Sequence, residues 1–244
     1  MTTLVKRSQA TSGNLFMQSL SAAGAFLLLT TGTFHVTAHS LEHFETELRQ
    51  QEAYFQPVDK DAPDFTLEDA EGQTVSLGNL KGTVLVLHFI YTSCPDVCPL
   101  HAERIADIQT MINQTPMREQ VRFLTVTTDP ARDTPEVMLE FGSVHGLDRT
   151  NWTFLTTKRD QPEDTTRQLA ERFGHKFMKT DDGYQAHGVV THIIDRDGRW
   201  RANFHGLEFE PTNLVMLVNA LDNDVHQAGD HDDSGCWDRL RARF

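Results

Sequence analysis

Two cysteines four residues apart, Cys94 and Cys98 in Tyr91-Thr92-Ser93-Cys94-Pro95-Asp96-Val97-Cys98-Pro99, follow directly on the apolar run Val84-Leu85-Val86-Leu87-His88-Phe89-Ile90. A run of that length and composition predicts a buried strand, and Pro95 and Pro99 suit the turn and the first helical turn after it. Both thiols then sit near a helix N-terminus, where unpaired N–H groups and the helix dipole favour thiolate over thiol. On a helix, the i, i+4 spacing would also bring them onto one face. Metal binding or dithiol redox chemistry is what such a pair can do; a stabilising disulfide or two inert buried thiols is the plainer alternative. With 3 cysteines in 244 residues the chain is no disulfide scaffold.

The elements that must position the pair can be read on either side of it. Residues 39–57 form a charged, amphipathic stretch from Leu41 to Tyr54 that predicts a helical linker ending at Pro57. Asp64–Asp69 and Thr74–Leu77 predict a hairpin about the Glu71-Gly72 turn, leading into the central strand. A helix from about Pro99 to Asn113 carries Leu100, Ile105, Ile108 and Ile112 at helical spacing, and Val121–Thr127 reads as a second buried strand. Thr134 and Pro135 supply the N-cap and first position of a helix running to about His145. Further on, Trp152–Leu155 predicts a strand, Gln161–Phe173 a helix, His187–Asp195 a strand turning at Asp197-Gly198 into Trp200–Phe204, and Pro211–Leu221 the last helix. Alternating strands and helices followed by an antiparallel hairpin argue for an α/β fold: a thioredoxin-like mixed sheet flanked by helices, with an N-terminal hairpin extension, over residues 58–222.

The two ends differ from this body. Lys6 and Arg7 precede the apolar stretch 15–34, and Val36-Thr37-Ala38 fits a small-residue cleavage pattern, so residues 1–38 predict an export signal or an N-terminal membrane anchor. An exported, periplasmic location follows, soluble or tethered, in an oxidising space where a dithiol needs a reductant or a metal to protect it. Removal of residues 1–38 takes away Lys6 and Arg7 and no acid, moving the formal charge from −13 to −15. Such acidity argues against a nucleic-acid partner. Residues 223–244 read as an acidic tail; its His226, His231 and Cys236, like His39 and His43 near the other end, are additional metal-donor groups.

The cysteine loop, followed by Thr128-Asp129-Pro130-Ala131-Arg132-Asp133-Thr134-Pro135 and by His187-Gly188-Val189-Val190-Thr191-His192 some ninety residues after Cys98, resembles the Sco/SenC family. Members of that family are thioredoxin-like copper proteins that help assemble the binuclear copper centre of cytochrome c oxidase. The resemblance implies a metal site of Cys94, Cys98 and His187 and a copper-chaperone role. The partners it implies are the oxidase's copper-bearing subunit, an upstream copper donor and a thiol reductant. Two thiolates and an imidazole form a soft three-ligand set suited to Cu(I), and to Cu(II) with an added ligand. His187 is preferred over His192 because two histidines five apart on one strand face opposite ways and the family ligand heads a β-branched run. His192 then reads as a strand histidine satisfied by its neighbours. Asp129 matches a family carboxylate that would orient the site from behind, though it also suits a turn before Pro130. His88 and His101 read as core-packing or solvated groups close enough to approach the site, Tyr91 as packing beside it, and Asp96 as a solvated loop acid that helps cap the helix. The alternative from another class is a thiol-disulfide reductase, with Cys94 and Cys98 redox-active, that keeps oxidase cysteines reduced. A thiol peroxidase is disfavoured because its Pro-x-x-x-Thr-x-x-Cys arrangement is missing.

Overall fold

Every residue of the central strand β4 (Val84–Ile90) is buried, so this strand has a helical layer on one side and a second apolar layer on the other. The computed structural model describes residues 41–180 and 183–230. Around β4 the chain order is α1 (Leu41–Gln51), β1 (Phe55–Asp61), β2 (Thr66–Asp69), β3 (Thr74–Ser76), β4, α2 (Val97–Asn113), β5 (Val121–Thr127), α3 (Pro135–Val144), β6 (Trp152–Thr156), α4 (Thr165–Arg172), β7 (Lys176–Thr180), β8 (Gly183–His187), β9 (Val190–Ile194), β10 (Arg199–His205) and α5 (Pro211–Asp230). Eight strands form one sheet in the order β1-β10-β9-β4-β5-β6-β2-β3. The strands β4, β5 and β6 run parallel and β9 pairs antiparallel with β4, the mixed thioredoxin-like arrangement the alternation predicts. The hairpin β2–β3 turns at Gly72, whose φ of 80° favours glycine, and joins the sheet through β6.

Alternation along β4 divides the core. Val84, Val86 and Ile90 face Ile105, Ile108 and Ile112 of α2 and Leu214, Leu217 and Val218 of α5. Leu85, Leu87 and Phe89 face Leu67, Leu169, Phe173 and Trp200 on the other side. Cys94 and Cys98 belong to the α2 side.

Several elements differ from the sequence reading. The first helix ends at Gln51, and Pro57 lies inside β1. An edge strand tolerates proline because one row of its N–H groups needs no partner. The helix α1 is more than a linker: Leu48 is buried, and Glu52 just beyond it accepts hydrogen bonds from the Glu210 backbone and Asn213. Leu100, expected in the core, is 50 % exposed. The helix α4 begins at Thr165, later than the periodicity from Gln161 suggests. The strand expected over His187–Asp195 is two strands in two sheets: β8 pairs only with β7, β9 joins the main sheet, and Gly188 at φ 94° makes the break. The helix α5 continues to Asp230, taking in the first part of the expected tail. His231, Cys236 and the rest of that tail, together with residues 1–38 and His39, lie outside the described residues. Among the described residues no helix is long and apolar enough to cross a membrane.

Four core histidines sit two on each face. His88 and His101 stack at 4.8 Å between ring centroids and bond Thr125 and Thr191 respectively. Both were open to a solvated reading, and both are buried. On the opposite face His175 and His192 bond each other at 2.9 Å. Burial holds all four below the ordinary 6.5, His88 to about 3 and His175 to about 4. A group whose folded pKa is depressed contributes stability that is complete above its unfolded pKa and is lost as pH falls toward the folded one. Each histidine therefore removes about 1.4 kcal/mol per pH unit once it is proton-free in the folded state and charged in the unfolded. Denaturant unfolding at pH 7, 6, 5 and 4 is expected to show stability falling steeply below 6.5; a flat profile down to pH 4 would contradict the neutral core.

Candidate metal centre

The loop from β4 to α2 carries the dithiol, and its shape follows from what satisfies the first N–H groups of α2. Asp96 is the N-cap residue, yet its side chain makes no capping hydrogen bond, contrary to the capping role read from sequence. Cys94 lies before the helix, in the turn closed by its own N–H on the Tyr91 carbonyl at 3.2 Å, so the two cysteines do not share a helical face. Its sulfur accepts instead from the backbone N–H groups of Asp96 and Cys98 and thereby occupies the place of a cap.

Both thiols are free and buried, at 6 % and 7 % exposure, but their electrostatics differ. Burial pushes the Cys94 thiol up, and the hydrogen bonds from the Asp96 and Cys98 backbone, the Cys98 thiol and the Tyr91 hydroxyl outweigh it, leaving Cys94 below the ordinary thiol range. Cys98 is pushed well above that range, by burial first, against a hydrogen bond from the Tyr91 backbone, and further by Cys94 and by the charge of Asp133. The pair is thus one thiolate-prone sulfur and one thiol that donates to it, an arrangement ready for a soft metal or for disulfide exchange. Tyr91, partly buried against the same core, has its own ionisation pushed up by burial and by the hydrogen bond to Cys94.

Asp133 anchors this loop, a role the sequence reading did not assign to it. Its carboxylate, 1 % exposed, accepts from the Thr92 backbone at 3.2 Å and from the hydroxyls of Thr92 and Thr127. The Thr128 N–H on the Ile90 carbonyl at 2.7 Å adds a second tie between the ends of β4 and β5. The signal in the sequence was the position of Asp133 immediately before the Thr134 N-cap, where its side chain can turn back over the strand ends.

Asp129 makes no contact with either cysteine in the described hydrogen bonds. It pairs with Arg132, and the Arg132 charge in turn acts on Tyr91, which donates to Cys94. Asp129 and Arg132 also line a cleft of about 390 Å³ with Thr128 and Glu163. His187 ends β8, opposite Lys176 in the register and one residue before the Gly188 break. The argument that separated it from His192 by alternation along a single strand fails, since the two lie on different strands. His192 is nonetheless fully buried on the face away from the cysteines, bonded to His175 and to Asn203 at 2.7 Å. Among the described residues no three His, Cys, Asp or Glu side chains form a metal-holding group.

Known proteins give a consistent comparison. The SCO1/SenC family model matches residues 55–221, close to the span that carries the resemblance in sequence. A SCO2-like protein of Rickettsia prowazekii is 30 % identical over 194 residues, covering 78 % of this chain and 91 % of that one. The crystal structure of a SCO1/SenC family lipoprotein from Bacillus anthracis superposes with a TM-score of 0.61 at 23 % identity, covering 68 % of this chain and 97 % of that one. The structure of Bradyrhizobium japonicum ScoI with copper bound gives a TM-score of 0.54 at 25 % identity, covering 66 % and 99 %. With the fold, the dithiol loop and a family match over most of its length in agreement, the chain belongs to the SCO1/SenC family.

Proposed function

We propose that the chain binds one copper ion through Cys94, Cys98 and His187 and delivers it to the binuclear copper centre of cytochrome c oxidase. The observation that carries this reading is the pair of free, buried sulfurs at the start of α2, one thiolate-prone and one a thiol donor. The fit rests on the chemistry of the donors: soft sulfurs select Cu(I), and an imidazole completes a trigonal set that leaves a coordination position open. An acceptor ligand can then attack the metal before the donor ligands leave, so free copper is never released. The ScoI relative of Bradyrhizobium japonicum, whose structure holds copper, supports the assignment of the metal. Asp129 acts through Arg132 and Tyr91 to hold the loop around Cys94. Residues 1–38 serve as the export segment or tether, and the oxidase's copper-bearing subunit, an upstream copper donor and a thiol reductant are the partners.

The offset between Cys94 and Cys98 also favours a second reading, a thiol-disulfide reductase in which the Cys94 thiolate attacks a partner disulfide and Cys98 resolves the mixed disulfide. Copper loading of the chain with the pair reduced and with it oxidised separates the two. One Cu(I) per reduced chain and none after oxidation supports delivery; a reduced chain that holds no Cu(I) but reduces a dithiol-derived disulfide supports the reductase.

A further inference from the structure

On the sheet face away from the cysteines, one hydrogen-bonded network fixes the protons of three imidazoles. It starts at Trp200, whose indole N–H can only donate. Trp200 Nε1 donates to Asn203 Oδ1 at 2.8 Å, so that atom is the amide oxygen and an acceptor. Two residues three apart on a regular strand would face opposite ways; the register shift between Trp200 and Ala202 brings both side chains to the same face.

The rest of the assignment follows in two directions. Since Asn203 Oδ1 accepts, the 2.7 Å contact with His192 Nδ1 requires a proton on that nitrogen. Fully buried and facing no carboxylate, His192 is neutral, and its Nε2 carries a lone pair. The 2.9 Å contact between the two Nε2 atoms is then a donation from His175 to His192, and neutral His175 is left with a bare Nδ1. In the other direction Asn203 Nδ2 donates to Gln56 Oε1 at 2.9 Å, which makes that atom an acceptor as well. His205 Nε2, also 2.9 Å from Gln56 Oε1, must therefore donate, and the Nδ1 of neutral His205 is bare in its turn.

His175 and His205 line the same cavity of about 420 Å³, with Gln56, Lys60, Trp200 and Asn203 around them. His175 is only 6 % exposed, and its Nδ1 is a buried nitrogen with no hydrogen-bond partner. A buried lone pair without a donor costs stability, and a bound ion is one way to satisfy it. What holds His175 there is local: Gly174, at φ 91°, ends α4 in a Schellman turn in which the His175 N–H bonds the Ala170 carbonyl.

We propose that His175 and His205 form a second metal site, for a single borderline divalent cation with Cu(II) held most tightly, on the opposite face of the sheet from Cys94 and Cys98. Neutral imidazoles with bare nitrogens are what such a cation takes, and among divalent first-row metals Cu(II) ranks highest. Only two protein ligands are supplied, and the Lys60 ammonium lies nearby, 4.4 Å over the Trp200 ring. The ion therefore keeps solvent positions and exchanges readily, unlike an ion in a closed cage.

The test uses the full chain carrying C94S, C98S and C236S, so that thiols neither bind nor reduce the probe and the outcome is independent of the cysteine site. Glycine-buffered Cu(II) is titrated while tryptophan fluorescence and the nitrogen hyperfine pattern in electron paramagnetic resonance are followed; Trp200, the first member of the network and part of the cavity wall, reports locally. Quenching that saturates near one equivalent is expected, with the midpoint raised at least about tenfold in H205A and in H175Q. His205 is exposed, so H205A keeps its fold even if H175Q does not. A midpoint and hyperfine pattern unchanged in H205A would overturn the proposal.

Discussion

Replacement of Cys94 or Cys98 by alanine is expected to weaken Cu(I) retention at least about a thousandfold, equivalent to about 4 kcal/mol, enough to empty the site against a strong competitor. A trigonal site that loses one sulfur keeps two donors, and its remaining ligands cannot match a competitor that offers several. The fold survives the change. Each thiol sits at the edge of the α2 face of the core, and a buried substitution of this size costs about 1 kcal/mol. Copper analysis after dialysis against the competitor, with circular dichroism as the fold control, checks both halves. Undiminished copper in either variant would refute the site.

The second large effect is expected at a residue that touches no metal. D133A leaves the Thr92 N–H and the Thr92 and Thr127 hydroxyls without their shared acceptor in a buried place. Stranded buried donors cost about 1–3 kcal/mol. At about 2 kcal/mol, the melting temperature of a domain this size falls by about 4–8 °C. Because Thr92 is two residues before Cys94, the same variant loosens the loop, and copper affinity is expected to drop by about tenfold. The pH dependence has a definite sign. Burial holds the Asp133 carboxyl above its ordinary 3.8 in spite of the donors around it. Its contribution is thus complete below that value and declines as pH rises through the raised one, so the D133A deficit is larger in mild acid than at neutral pH. Thermal melts of both proteins at pH 5 and 7.5 check the sign; a deficit that grows with pH would contradict it.

The sequence made the central elements legible because their signals are local. The unbroken apolar run of β4, the Thr134-Pro135 helix start and the glycines at 72 and 198 each specify their element without help from distant residues. Where the reading failed, the deciding contact was far away in the chain. Pro57 sits in a strand because β10, about 145 residues later, offers it an edge. The single strand expected over His187–Asp195 breaks because β8 pairs with β7, an element whose Lys176–Thr180 pattern is too mixed to announce a strand. Of the candidate site, the two cysteines were evident from their spacing after a buried strand. Asp133 was not, since a carboxylate in a turn looks the same whether it faces solvent or clasps Thr92 from 41 residues away. The histidine network was equally hidden: His175 and His192 meet only because α4 ends at Gly174 and the β10 bulge turns Asn203 toward them.

The central claim, that Cys94, Cys98 and His187 together hold copper, is tested most directly by the copper stoichiometry of the reduced chain in wild type and H187A under a strong Cu(I) competitor. One copper per wild-type chain and a marked loss in H187A, greatest for Cu(II), is the predicted result. Equal retention in the two proteins, or a larger loss in a His192 variant that remains folded, would contradict it.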